Sequence, residues 1–565
     1  MNLFKRYGLL SLGAAAGLMC GSCVNMNKSL GESMIPDSQM YDIYTAEFPI
    51  EDIEQEMADS LSSFSMYKFT FGAIRDEAFG LTTKEASFTL VPVSDTLDFG
   101  KNAKFRQFHL SAVADSTSYA DLSQEYILQS VNVYELDKAL DYTKLSPEVS
   151  YSKKRITDGI PVYNGKDSLS FNFSKEFGEK YMKIQTADLD TLPNYTKKFP
   201  GIVITTDTPA GNGGRINMFR LPIAVNKGTI YGSYAELKFT ADYGDRKQVD
   251  TSFIFYLGPM SIYDLGGVTS TSVTTYPQAA FDQTVHSSKS LEGKADKTFV
   301  MEGGRGIKPV IKAKPIRDKV LEIVSQKTDA PSGVVISKAT LVMPFEFPDN
   351  YIDMYMYPAY ISPTCRIKTD KSLTFASITD SSVSDENQGD INRSLCQYAP
   401  DITHHLQAML KLTDESKIEN YDIWFLAMAR ETVATASSSS SSSYDSDYYQ
   451  QMLYYNYYNS MYNGYGYGGY GGYGGYGNYG YGNNYYNYMM LQQMYAASAS
   501  SSSSGSTTTK QTMMDSHRYY KAVFTVLEPR GSRCSNSHTL YLKPENKHSS
   551  ADTIKKRLTK KLVSL

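Results

Sequence analysis

Apolar and polar residues alternate with a period of two through much of this chain. Ala86, Phe88 and Leu90 interleave with Ser87 and Thr89; Val131 and Val133 with Ser130, Asn132 and Tyr134; Ala235, Leu237 and Phe239 with Glu236, Lys238 and Thr240. Successive side chains of a strand point to opposite faces, so each run sends its apolar set to one face and its polar set to the other. Turn-forming clusters, Asn164-Gly165-Lys166-Asp167 and Ala210-Gly211-Asn212-Gly213-Gly214, separate these runs. They predict hairpins and Greek-key connections rather than crossover helices. The expected fold is all-β, two halves built like β-sandwiches or jelly rolls with a few short helices. Ser174 is placed to cap one helix carrying Phe177, Tyr181 and Ile184, and Asp401 another carrying Ile402, Leu406, Met409 and Leu410. Around Ile53, Met57 and Leu61 the apolar spacing suits a helical turn and a strand equally.

The N-terminus reads as an export signal. Lys5 and Arg6 precede an apolar stretch from Tyr7 to Met19, which closes on Cys20-Gly21-Ser22-Cys23. That stretch is too short for a bilayer core that takes about 20 residues, and small residues before a cysteine suit cleavage followed by lipidation. Cys23 is the expected lipidated residue, because Gly21 and Ser22 precede it whereas Leu18 and Met19 precede Cys20. The alternative is an ordinary signal peptide with an incidental cysteine. The expected membrane partner is therefore reached through a lipid anchor, since no second apolar run of about 20 residues follows. A net charge of -4 over 565 residues argues against nucleic acid as a partner. Of five cysteines, Cys365, Cys396 and Cys534 remain in the body. One bridge with a leftover thiol and buried unbridged cysteines are both open readings.

Composition divides the chain into a signal peptide (1–22), a flexible tether (23–40), a first β-rich domain (41–258), a Ser/Thr/Gly/Gln-rich linker (259–297), a second β-rich domain (298–433 with 517–548) and a basic tail (549–565). The second domain is split by a low-complexity insertion (434–516), with unbroken serine at Ser437–Ser443 and a Tyr/Gly/Asn tract over Tyr444–Tyr495. The insertion is expected to be a disordered loop within a hairpin, closed by the strand at Tyr519–Val526, because long surface insertions cost little loop entropy. In the tail, Ile554, Leu558 and Leu562 recur every four residues among Lys555, Lys556, Arg557, Lys560 and Lys561.

Gly303-Gly304-Arg305-Gly306 lacks the spacing and the Lys-Ser/Thr of a phosphate loop, and neither a Gly-x-Ser-x-Gly elbow nor a His-Glu-x-x-His helix occurs. His404 and His405 are neighbours, which point about 100° apart on a helix and do not converge on one ion. Asp385 to Asn392 has oxygen-bearing side chains around Gly389, but the glycine comes too early for a calcium loop and no glutamate closes it, so a solvated turn is expected. No metal site and no cofactor is expected. The tract does have binding chemistry. Tyr465, Tyr467, Tyr470, Tyr473 and Tyr476 offer flat, hydroxylated faces on a loose Gly/Asn backbone, suited to stacking on sugar rings, on partner aromatics or on one another; a low-complexity insertion with no selected partner is the equal alternative.

Several stretches resemble a family of Bacteroidota outer-membrane lipoproteins classed as domain of unknown function 4270. They are Phe71-Gly72 with Asp76, Phe79-Gly80 and Ala86-Ser87-Phe88; Val133 to Leu136; Phe199 to Ile204; and Gly303-Gly304 with Ile336 to Leu341. The resemblance runs from about Tyr41 to Val526 outside the insertion. It implies a β-rich lipoprotein of the outer membrane and brings no catalytic or binding residues. The expected function is a non-enzymatic cell-envelope lipoprotein acting as a structural or binding module for a glycan or an envelope protein. A periplasm-facing subunit of an outer-membrane assembly is the alternative. It gains weight because no acidic residues directly follow Cys23, where surface-exported lipoproteins of Bacteroidota often have them. A carbohydrate-active enzyme, which needs two carboxylates facing each other across a cleft, is the outsider.

Overall fold

A computed structural model of the chain describes most of residues 44–544. Residues 1–43, 116–118, 121–127, 142–146, 260–273, 290–297, 329–333, 369–372, 384–388, 435–507, 515–517, 526–539 and 545–565, with a few isolated positions, lie outside the description. Every strand ladder among the described residues is antiparallel, as the alternation and turn clusters predict.

In the first half two sheets pack face to face. One is centred on the hairpin Lys68–Asp76 and Gly80–Phe88, flanked by Gly213–Arg220 on one side and by Ile202–Thr205, Asn132–Leu136 and Tyr151–Arg155 on the other. The second is built from Lys101–Ala112, Tyr234–Tyr243 and Arg246–Leu257, with Leu169–Asn172 and Leu90–Pro92 at its edges. Phe69, Phe71 and Phe88 of the first sheet meet Phe108, Leu237 and Phe255 of the second in one core. Each such side chain adds roughly 1.5–3 kcal/mol on burial, so this inter-sheet layer dominates the stability of the half. Ser174 Oγ accepts from the Phe177 amide and starts the helix Lys175–Tyr181, whose Phe177 ring stacks on Phe108 in the core while the Tyr181 ring meets it tilted. Alternation holds where one face meets water: Ala235, Leu237 and Phe239 are buried while Lys238 is exposed. Ser87 and Asn132 are buried despite being polar, because Phe64, Tyr134, Val203 and Phe281 cover the other face of their sheet.

Close strand pairing fixes Gly214 as glycine. Gly214 has a φ of 118°, and a Cβ there would lie 2.1 Å from the Ala73 carbonyl oxygen on the paired strand. Gly214→Ala is expected to cost at least about 1–3 kcal/mol, read as a lower urea midpoint. An unchanged midpoint would refute the assigned register.

The second half is a sheet layered against helices. Ile53–Met57, Ile307–Ile311, Ile423–Ala434, Tyr360–Lys368 and Leu373–Ser377 form the sheet in that order. One face buries Ile361, Cys365, Ile423 and Phe425 against the helices Ala313–Ser325 and Thr403–Lys411; the other buries Tyr360, Phe375, Trp424 and Leu426. The undecided Ile53 segment is a strand. The helix Ala313–Ser325 was not foreseen, although Ile316, Val320 and Val324 mark its buried stripe at four-residue spacing. Asp422 accepts the Ala313 amide at 2.8 Å in place of a local cap.

Three expected boundaries are corrected. The linker 259–297 contributes the strand Ala280–His286, which pairs with Gly80–Phe88, because Ala280 is apolar enough to enter the inter-sheet core and Phe281 to enter the cluster on the sheet's other face. Residues 44–57, assigned to the first domain, instead pair with second-half strands: Tyr44–Ala46 with Leu540–Pro544 and Ile53–Met57 with Ile307–Ile311. The hairpin partner of Ile423–Ala434 is Thr508–Met514, inside the expected insertion, since its β-branched threonines suit a strand. The strand Lys521–Thr525 pairs with Thr298–Glu302 instead.

Candidate functional site

Cys23 and the tract residues Tyr465, Tyr467, Tyr470, Tyr473 and Tyr476 lie outside the described residues, as do Asp385 to Gln388. The structure does fix where the tract departs. Ala434 pairs with Thr508 at the last rung of its ladder, so residues 435–507 leave and return at neighbouring points on the sheet of the second half.

Five strands bring together a set of ionisable groups that no motif announces. Glu302 ends Thr298–Glu302, Lys521 begins the partner strand Lys521–Thr525, and Lys308 lies on Ile307–Ile311. The first half contributes His286 from Ala280–His286 and Lys84 from Gly80–Phe88. The Lys521 ammonium and the Glu302 carboxylate form an ion pair with both side chains fully buried. The other carboxylate oxygen accepts the Ile307 amide at 3.1 Å and lies 3.5 Å from His286 Nδ1. Lys521 also lies 5.3 Å from the Phe79 ring centroid and 5.4 Å from that of Tyr519, a cationic contact with two π faces. Lys84 donates to Thr284 Oγ1 at 3.1 Å.

Burial sets the protonation states. It holds His286 down at about 3, against the pull of Glu302, so the imidazole is neutral near pH 7. Burial would raise Glu302, but His286 and Lys521 overcome it and hold the carboxyl down at about 2. Desolvation lowers Lys521 and brings Lys308 down to about 7. A lysine near pH 7 is the usual mark of a catalytic amine. Lys308, however, points its Nζ at the carbonyls of Glu302, Gly304 (2.9 Å) and Gly306 (3.3 Å). Three acceptors match the three protons of an ammonium, and the group is 1% exposed. This amine binds a loop rather than a substrate. Gly306 completes the packing: a Cβ there would lie 2.7 Å from Glu302 Oε2 and 2.8 Å from His286 Nε2.

A second constellation has the residue types of a cysteine nucleophile site without its geometry. Cys365 Sγ lies 3.9 Å from Nδ1 and 3.8 Å from Nε2 of His405, over the ring rather than in line with a nitrogen lone pair. His405 Nε2 is engaged by the Tyr421 carbonyl at 2.9 Å. Asp380 accepts the amides of His404 and His405 and lies 3.0 Å from His404 Nδ1, so it anchors the start of the helix Thr403–Lys411 instead of orienting His405. The two histidines diverge as expected, His404 half-exposed and His405 buried. Cys534 lies outside the described residues, and among the described residues Cys365 and Cys396 are not bridged to each other.

Among the described residues no group of three His, Cys, Asp or Glu side chains is placed to hold a metal ion, and no helix is long and apolar enough to cross a membrane. No family model, no curated protein and no solved structure matches the chain.

Sequence reasoning missed the charged cluster although both halves of its signal are visible. Glu302 and Lys521 are lone charges in otherwise apolar strands, Phe299-Val300-Met301-Glu302 and Tyr519-Tyr520-Lys521-Ala522-Val523-Phe524. A charge in such a run needs a buried partner. The partner cannot be named from local pattern when it lies 219 positions away.

Proposed function

We propose that this chain is a non-enzymatic cell-envelope lipoprotein, held at the outer membrane through Cys23, whose β-rich body serves as a structural or binding module for a glycan or envelope protein. The observation that supports a non-enzymatic body is the closure of its principal ionisable cluster. Glu302, Lys308, Lys521 and His286 come from both halves of the chain, neutralise or hydrogen-bond one another, and are almost wholly buried. Such a set joins two halves and has no face to offer a substrate. The Tyr/Gly/Asn tract supplies the binding chemistry in this reading, displayed from the rung Ala434↔Thr508.

Two measurements test it. Growth on an alkyne fatty acid is expected to label the wild-type chain and leave Cys23→Ser unlabelled; equal labelling of both would remove the anchor. Protease shaving of intact cells, scored with an antibody to residues beyond the tract, is expected to cut within 435–507. Protection in intact cells, with cutting only after the outer membrane is opened, would replace the surface-binding role by a periplasm-facing one.

A further inference from the structure

We propose that Ser170, on the open face of the second sheet of the first half, is a nucleophilic serine that takes an acyl group from an activated ester or thioester. His109 is its base, and Asn172 orients the base. Strand alternation builds the set. Leu169 and Phe171 point into the inter-sheet core, as do Phe108 and Leu110 of the paired strand, so Ser170, Asn172, Gln107 and His109 share the opposite face. Asn172 lies opposite His109 in the ladder, and Ser170, two residues before Asn172, lies diagonal to it. Ser170 Oγ is 3.1 Å from His109 Nε2, and Asn172 Oδ1 is 2.8 Å from His109 Nδ1.

The tautomer of His109 follows from its partners. Asn172 Oδ1 also accepts from Gln107 Nε2 at 2.7 Å, and a carbonyl oxygen only accepts, so His109 carries its proton on Nδ1. Nε2 keeps its lone pair, and the Ser170 hydroxyl donates to it. A hydroxyl bonded to a base that a third group orients is the arrangement that activates serine for acyl transfer. In that step Ser170 Oγ forms a bond to the acyl carbon while its proton passes to His109 Nε2. The bond to the alkoxide or thiolate then breaks, and the leaving group takes the proton from the imidazolium. Glu236, opposite His109 on the other neighbouring strand and 3.1 Å from Lys238, sets a carboxylate across the ladder from that transient cation. Ser170 and Asn172 are exposed, so no wall selects the acyl group by shape, and small reactive donors are the class that fits. A single acyl group per chain marks the body as an acceptor rather than a turnover enzyme, a property beyond the binding-module reading that rests on neither Cys23 nor the tract.

The test uses the full processed chain with two probes, p-nitrophenyl acetate as the acyl donor and a biotinylated alkyl fluorophosphonate. The second reports serine nucleophilicity, because displacement of fluoride by Oγ leaves a stable phosphonate ester. Peptide mapping is expected to place both adducts on Ser170. His109→Ala is expected to slow phosphonylation at least about a hundredfold. Asn172→Leu should slow it as well, and Asn172→Asp, which keeps an accepting oxygen, should restore it; a network with only a structural role would show no such reversal. These side chains lie outside the core, so the variants' melting transitions should match the parent's. Absence of either adduct from Ser170, adducts on other serines alone, or phosphonylation of Ser170 as fast in His109→Ala as in the parent would overturn the proposal. Each of these leaves the Cys23 reading to be decided by fatty-acid labelling.

Discussion

Lys521→Met is expected to destabilise the protein by about 3–5 kcal/mol, because it leaves the Glu302 carboxylate buried without its cation. At that size the apparent Tm falls by roughly 10 °C. The loss is one of unmatched charge rather than packing, since methionine fills most of the lysine volume. Combining Lys521→Met with Glu302→Leu is therefore expected to recover much of it, as replacing both partners of a buried pair often does. The recovery is incomplete because Glu302 Oε2 also accepts the Ile307 amide. A loss below about 1 kcal/mol for the single variant would reduce the pair to the level of a surface salt bridge and remove the cluster as the joint between the halves.

Acidification should open the same joint. The folded Glu302 carboxyl titrates at about 2 against an ordinary 4.5, so its stabilisation is present above 4.5 and is lost as pH falls toward 2. His286 titrates at about 3 against 6.5, so below 6.5 the unfolded chain takes up a proton that the folded chain refuses. Both groups make stability fall with decreasing pH, across a window from about 6.5 to 2, by several kcal/mol in total. Lys308, down at about 7 against 10.5, adds stability as pH rises between those values, since only the unfolded chain then keeps the proton. Urea midpoints measured from about pH 7 to pH 4 are expected to drop steeply in the wild type and less so in His286→Asn. Parallel curves for the two proteins would exclude His286 from the acid response.

Local pattern carried much of the architecture and little of the site. Leu237 and Phe239 declare their strand because water lies on one side of it, and Ser174 declares its helix because a cap acts within three residues. Around Ser87 and Asn132 alternation marks the strands but not a solvent side, since both faces there are covered. Partnership was illegible wherever it is long-range. Ile53–Met57 reads as a short ambiguous segment until Ile307–Ile311 lies beside it, and Ala280–His286 reads as linker until Gly80–Phe88 supplies the ladder. The cluster at Glu302 combines both difficulties. It gathers residues from five strands, and its chemistry depends on burial that no single stretch encodes.

The ladder that sets Leu540–Pro544 between Tyr44–Ala46 and Val334–Ala339 governs the order in which the fold can form. A chain delivered from its N-terminus presents Tyr44–Ala46 first and Leu540–Pro544 almost last, so the earliest strand waits for nearly the whole sequence before it pairs. Lys521 reaches Glu302 at a similarly late stage. Contacts of such high sequence separation fold slowly and leave strand edges open meanwhile. Completion is therefore a post-delivery event, and a chain cut short before Leu540 keeps two unpaired edges available for association with other chains.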